Sequence, residues 1–104
     1  MTIEEVNKKI KQLELIRSFL EEPIKEDDSI DTIIYKKYLE YENVSNVSKW
    51  LNENGYTKMN EDNTKVVKYN PGDVSKSIKD KTVDVEERLK EIVKKLFNKH
   101  SKYY

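Results

Sequence analysis

Residues 44–79 read VSNVSKWLNENGYTKMNEDNTKVVKYNPGDVSKSIK. The fold turns on where the period of the apolar residues changes within this stretch. Val47, Trp50 and Leu51 recur at helical steps and predict a helix over Ser45–Asn54, which Gly55 ends by exiting through a left-handed conformation. After Gly55 the period shortens. Tyr56-Thr57-Lys58-Met59 and Thr64-Lys65-Val66-Val67-Lys68-Tyr69 are β-rich runs around the polar turn Asn60-Glu61-Asp62-Asn63, which predicts a hairpin over 56–69. Asn70-Pro71-Gly72-Asp73 restarts a helix: Asn70 suits the cap, Pro71 the first helical position and Asp73 the positive helix end. That helix, Pro71–Lys81, has only Val74 and Ile78 to bury.

Upstream, Ser29 or Asp28 can cap a helix over Ile30–Glu42 that buries Ile30, Ile33, Ile34, Tyr38 and Tyr41, with a short break at Asn43-Val44. Tyr35 and Trp50 are assigned to the same core. Before it, Thr2 and Glu5 have capping-box spacing and open a helix over Thr2–Glu21. Its Ile3, Val6, Ile10, Leu13, Ile16 and Leu20 read as one apolar stripe, and Pro23 with the Lys25–Asp28 stretch ends it. Downstream, Val85, Leu89, Ile92, Val93, Leu96 and Phe97 form one face of a helix over Val83–Lys99. The expected fold is mainly α: a helix-turn-helix, winged-helix-like domain of about five helices with one small β-hairpin. The whole of 1–104 is one domain, with an N-terminal helix at 1–21, a helix-turn-helix core at 30–81 and a C-terminal helix at 83–99.

Composition narrows the chemistry. The chain has no cysteine, which removes disulfides, thiolate metal sites and cysteine nucleophiles together. His100, beside Lys99 and Lys102, is the only histidine, so an ordinary zinc site or a histidine-based catalytic set is not expected, and a basic tail is. Glu26-Asp27-Asp28 with Asp31 lacks the alternating ligands and central glycine of a calcium loop and reads as solvated linker and helix cap. The two glycines, Gly55 and Gly72, make no phosphate-cradling loop. No metal, no cofactor and no catalysis are expected. No apolar run is long enough to span a bilayer, and Met1-Thr2-Ile3-Glu4-Glu5 is not the start of a secretory leader, so a cytoplasmic setting is expected.

Twenty basic and twenty acidic residues cancel. Their distribution does not. Residues 1–43 carry 7 basic and 11 acidic side chains, residues 44–81 carry 7 and 5, and residues 82–104 carry 6 and 4. The local field, rather than the total, decides whether a phosphate is attracted.

The segments Tyr35-Lys36-Lys37-Tyr38-Leu39-Glu40-Tyr41, Val47-Ser48-Lys49-Trp50-Leu51-Asn52-Glu53-Asn54-Gly55-Tyr56 and Lys68-Tyr69-Asn70-Pro71-Gly72-Asp73-Val74-Ser75-Lys76-Ser77-Ile78 resemble a known pattern. It is that of the small helix-turn-helix DNA-binding modules of large serine recombinases and related mobile-element proteins. There is no recombinase catalytic domain beside it. The resemblance covers about half of the chain. It implies a small non-enzymatic DNA-binding protein, a transcriptional regulator or accessory factor of a phage or mobile element, that meets duplex DNA with the helix after the hairpin.

On that reading Ser75, Lys76, Ser77 and Lys79 lie on the exposed side of the 71–81 helix, within reach of base edges and phosphates. Asn70 opens the helix end that offers backbone N–H groups to a phosphate, although Asp73 there would repel one. Lys58, Lys65 and Lys68 on the hairpin would lie along the sugar-phosphate backbone. A second register makes the 45–54 helix the reader and 56–69 its wing, with Ser45, Asn46, Ser48, Lys49 and Asn52 facing DNA. The order of Gly55 and the Asn-Pro cap favours the first.

A homodimer through the terminal helices is expected, because Val85, Leu89, Ile92 and Leu96 lie near coiled-coil spacing, the first helix carries a similar stripe, and a central half-domain covers one more easily than both. Zero net charge, the acidic N-terminal third and seven tyrosines, Tyr103 and Tyr104 among them, support an alternative: a protein-binding adaptor or inhibitor on a helical scaffold.

Overall fold

The computed structural model describes residues 1–22 and 24–101, with side chains as far as Lys99. Readings that concern Pro23, the His100 side chain and residues 102–104 lie outside the described residues. Among those described there are five helices and one two-stranded antiparallel hairpin, the mainly helical fold the periodicity predicts.

Local side-chain chemistry starts each helix of the central unit. Ser29 Oγ accepts from Thr32 N at 3.2 Å and opens α2 (Ile30–Tyr41). Glu42, in the left-handed region at φ 49°, ends it. Asn43 Oδ1 then accepts from Asn46 N at 3.0 Å, so α3 (Val44–Glu53) begins one residue earlier than the apolar spacing predicts. At the far end Gly55 sits at φ +80°, Tyr56 N donates to Leu51 O at 3.0 Å and Gly55 N to Asn52 O at 3.3 Å. This paired closure of the last turn needs a left-handed residue, which glycine supplies without strain.

The hairpin is shorter than the predicted 56–69. Strands β1 (Lys58–Met59) and β2 (Val66–Val67) pair only as Lys58 with Val67 and Met59 with Val66. Asn60 takes up the turn, its Oδ1 accepting from Thr64 N at 2.9 Å and Lys65 N at 3.3 Å. Beyond β2 the chain pairs with α3: Asn52 Nδ2 donates to Tyr69 O at 2.9 Å and Tyr69 N to Asn52 Oδ1 at 2.8 Å.

Helix α4 (Pro71–Lys79) stops two residues before the predicted end. Asp80 folds back on Thr82, accepting from its N at 2.8 Å and from its hydroxyl at 2.6 Å, which draws its carboxyl below the ordinary value. The last carbonyls of α4 are satisfied from elsewhere. Tyr35 Oη donates to Ser77 O and Ile78 O, both at 3.1 Å, and Lys94 Nζ to Ile78 O at 2.8 Å and Asp80 O at 3.1 Å. The last helix, α5 (Glu87–Ser101), begins four residues later than the predicted Val83. Thr82, Val83 and Val85 are β-branched and hold 83–86 non-helical, with Lys90 Nζ donating to Lys81 O at 2.9 Å and Val83 O at 3.2 Å.

Helix α2 is the hub, packing on every other helix. Tyr35, Tyr38, Val47, Leu51, Val74 and Ile78 fill the space between α2, α3 and α4. Leu89, Ile92 and Val93 of α5 close the core from the other side, with Phe97 edge-on to Tyr38 at 6.0 Å between centroids. The α5 face expected at a dimer interface is therefore mostly spent inside the chain. Residues 25–28 are also more than solvated linker: Asp28 Oδ2 accepts from Lys25 N and from Lys36 Nζ, both at 2.9 Å. Burial works to raise the Asp28 carboxyl, but the Lys25 amide and the Lys36 ammonium outweigh it and hold it below its ordinary value.

Helix α1 (Ile3–Glu21) starts where predicted, Thr2 Oγ1 accepting from Glu5 N at 3.2 Å, but of its apolar stripe only Ile16 meets the core. Phe19 is buried, Leu15 and Ile16 pack against the core, and Ile3, Val6, Ile10, Leu13 and Leu20 are exposed. From Ile3 to Lys11 every side chain is exposed. This arm stretches the molecule to 55 × 32 × 25 Å and its radius of gyration to 15.0 Å, where about 13 Å is ordinary for this length. No helix among the described residues is long and apolar enough to cross a membrane.

Tyr35 offers a direct check on how α4 is held. Burial pushes its phenol up to about 12, with the Asp31 and Asp80 carboxylates adding to the shift. A folded value above the ordinary 10.0 means stabilisation that is complete below pH 10 and lost as pH rises towards about 12. Tyr35→Phe takes this donor from Ser77 O and leaves Ile78 O to Lys94 alone, and is expected to cost about 1–3 kcal/mol at pH 7. It should also flatten the fall in stability between pH 10 and 12. Urea unfolding across that range reads both effects.

Candidate nucleic-acid interface

The two inward residues of α4, Val74 and Ile78, are fully buried, so the orientation of its other side is settled. Lys76 and Lys79 are exposed, Ser75 is half-buried, and Lys79 Nζ lies 5.7 Å from the Phe97 ring centroid. Ser77 is not on the outer face. Its Oγ donates to Asp31 Oδ1 at 2.7 Å and ties α4 to the first turn of α2, where the sequence reading has it free for DNA. Asn70 is likewise consumed. Its Oδ1 accepts from Asp73 N and its own N donates to Asp73 Oδ2, each at 2.9 Å, a complete capping box. With Pro71 lacking an N–H, the helix end has little left to offer a phosphate.

The hairpin lysines divide in two. Lys58 shares the inner face with Val67 and is ion-paired to Asp73 rather than free for the DNA backbone as the sequence reading has it. The same pair answers the objection that Asp73 would repel a phosphate, because its charge is compensated from β1. Lys65 and Lys68 are exposed on either side of β2. Lys65, Lys68, Lys76 and Lys79 along β2 and α4 are thus exposed, and Asp73, the one acid between them in sequence, is engaged. Glu61 and Asp62 are exposed at the hairpin tip, so the positive field belongs to the β2 side rather than to the tip.

The rival face on α3 is thinner. Ser48 is 5% exposed and its Oγ donates to Ser45 O at 2.8 Å, which removes it from the outer face. Asn52 is spent on Tyr69. Ser45, Asn46 and Lys49 remain exposed, and Glu53, exposed one turn after Lys49, opposes its charge locally. Trp50, half-buried, stacks on Tyr56 at 5.7 Å under Lys37 Nζ at 4.4 Å and belongs to the packing.

Lys58–Asp73, Ser77–Asp31 and Asn52–Tyr69 were invisible in the sequence because their partners stand 15, 46 and 17 residues apart, at no helical or strand spacing. Among the described residues no group of three or more His, Cys, Asp or Glu side chains could hold a metal ion. No family model, curated protein or solved structure matches the chain. The likeness to recombinase-type modules therefore rests on the residues quoted for it.

Proposed function

We propose that the chain is a small non-enzymatic DNA-binding protein, a transcriptional regulator or accessory factor of the phage or mobile-element kind, that lays α4 and β2 against double-stranded DNA. The observation that carries this reading is the set of four exposed lysines along β2 and α4, Lys65, Lys68, Lys76 and Lys79, with the one acid between them in sequence, Asp73, ion-paired to Lys58. Phosphate contact needs such a local field and supplies most of the affinity for any duplex. On this reading Ser75 and Lys76 are the residues that meet base edges.

Anisotropy with duplex DNA over a range of salt tests the reading. Lys76→Ala is expected to weaken binding, and Lys49→Ala to leave it nearly unchanged. If a base is read by Ser75, Ser75→Ala costs about 1–3 kcal/mol on the preferred site only. The opposite result, binding lost with Lys49→Ala and kept with Lys76→Ala, makes α3 the reading helix. A folded protein with no salt-dependent binding to any duplex ends the DNA reading. The adaptor reading then leads; it is favoured by Met59 and Val66, a cross-strand pair 45% and 64% exposed on the outer face of the hairpin.

A further inference from the structure

We propose that α1 pairs with α1 of a second copy of this chain as a parallel two-stranded coiled coil. The outward residues of α1 are Ile3, Val6, Ile10, Leu13, Arg17 and Leu20. Their steps alternate three and four, a heptad seam in which Ile3, Ile10 and Arg17 hold a positions and Val6, Leu13 and Leu20 hold d positions. Of the residues that dock α1 on its own core, Leu15 and Phe19 lie on the other side of the helix, and Ile16, at a g position, flanks the seam. Two α1 seams can therefore meet with both cores outside. Ile3 and Leu13 are 78% and 64% exposed, and every side chain from Ile3 to Lys11 is exposed. A bare helical arm of that length gains little from its own hydrogen bonds, so a covering partner is what holds it helical.

The pattern selects both the occupant and its direction. β-Branched a residues with leucine at d favour two parallel strands, and Ile3 and Ile10 at a with Leu13 and Leu20 at d follow it. In parallel register Lys9, at a g position, faces Glu14 of the second copy at e, and the symmetry repeats the attraction. In antiparallel register Lys9 faces Ile16 and Glu14 faces Asn7, with no charge matched. Arg17, the one polar residue of the seam, is held by Glu21 of its own helix at 2.9 Å, which offsets its charge at the end where α1 settles on its core. Covering the five exposed aliphatic side chains of each copy removes on the order of 1,000 Å². That is the lower edge of what a specific interface needs, so the dimer should depend on concentration.

The absence of native cysteine makes the register directly measurable. Leu13→Cys places two thiols in one d layer of the parallel pair and is expected to cross-link to a dimer under mild oxidation. Lys11→Cys, off the seam, should not. Wild-type protein should sediment as a dimer at high micromolar concentration, and Leu13→Glu as a monomer with unchanged Trp50 fluorescence, since Trp50 lies in the core region. A wild-type chain that stays monomeric throughout overturns the proposal. So does a cross-link that forms only when Ile10→Cys and Leu13→Cys chains are mixed, because that is the antiparallel register. None of these measurements involves DNA.

Discussion

The protein carrying Lys65→Gln, Lys68→Gln, Lys76→Gln and Lys79→Gln is expected to lose duplex binding by on the order of a hundredfold or more at low salt. Its plot of log affinity against log salt should be shallower by about 3 to 4, close to 0.9 for each phosphate contact removed. All four side chains are exposed, so the thermal midpoint should barely change and folding cannot account for the loss. Lys8→Gln with Lys11→Gln, two exposed lysines on α1, is the control and should leave the slope nearly as it was. An unchanged slope in the fourfold variant, or an equal drop in the control, places the DNA contact elsewhere.

Leu51→Ala is expected to take away about 2–5 kcal/mol, a large part of the roughly 5–15 kcal/mol that holds a domain of this size together. Leu51 is completely buried among α2, α3 and α4, where neighbours held by Tyr35 and by the Asn52–Tyr69 bonds have little freedom to collapse into the gap. The melting midpoint should fall by about 10 °C or more. Val66→Ala, an equally apolar truncation at a 64% exposed site, should change stability by less than about 0.5 kcal/mol. Comparable effects at the two positions would mean that the core is not where α3 and α4 meet.

What the sequence revealed and what it hid divide along chain separation. Thr2, Ser29, Asn70 with Pro71, and Gly55 announced helix ends because a cap acts on a backbone group three or four residues away. The start of α5 misled because Val83 and Val85 continue the apolar spacing of Leu89 and Ile92, while their branching favours extended backbone. Periodicity found an apolar face on α1 but could not say which of two faces meets the core; the choice fell to Leu15, Ile16 and Phe19, through which α1 packs on α2 and α5. The candidate site was legible as a cluster of lysines and serines. Which members stay outward depended on partners brought by tertiary packing, as with Ser77 on Asp31 and Lys58 on Asp73.

Helix α4 has nine residues, too few to persist alone in water. Its first turn is closed locally by Asn70 and Asp73, but its last is held by Tyr35, 43 residues upstream of Ile78, and by Lys94, 16 residues downstream. Local fraying of this helix is thereby coupled to release of α2 and α5, and the surface it presents has no existence apart from the whole domain. A ligand seated on α4 thus gains nothing by ordering a floppy segment and loses nothing to it. Its binding free energy is added to global unfolding instead, so occupancy should raise the melting temperature of the entire chain by mass action, in proportion to RT ln(1 + [L]/Kd).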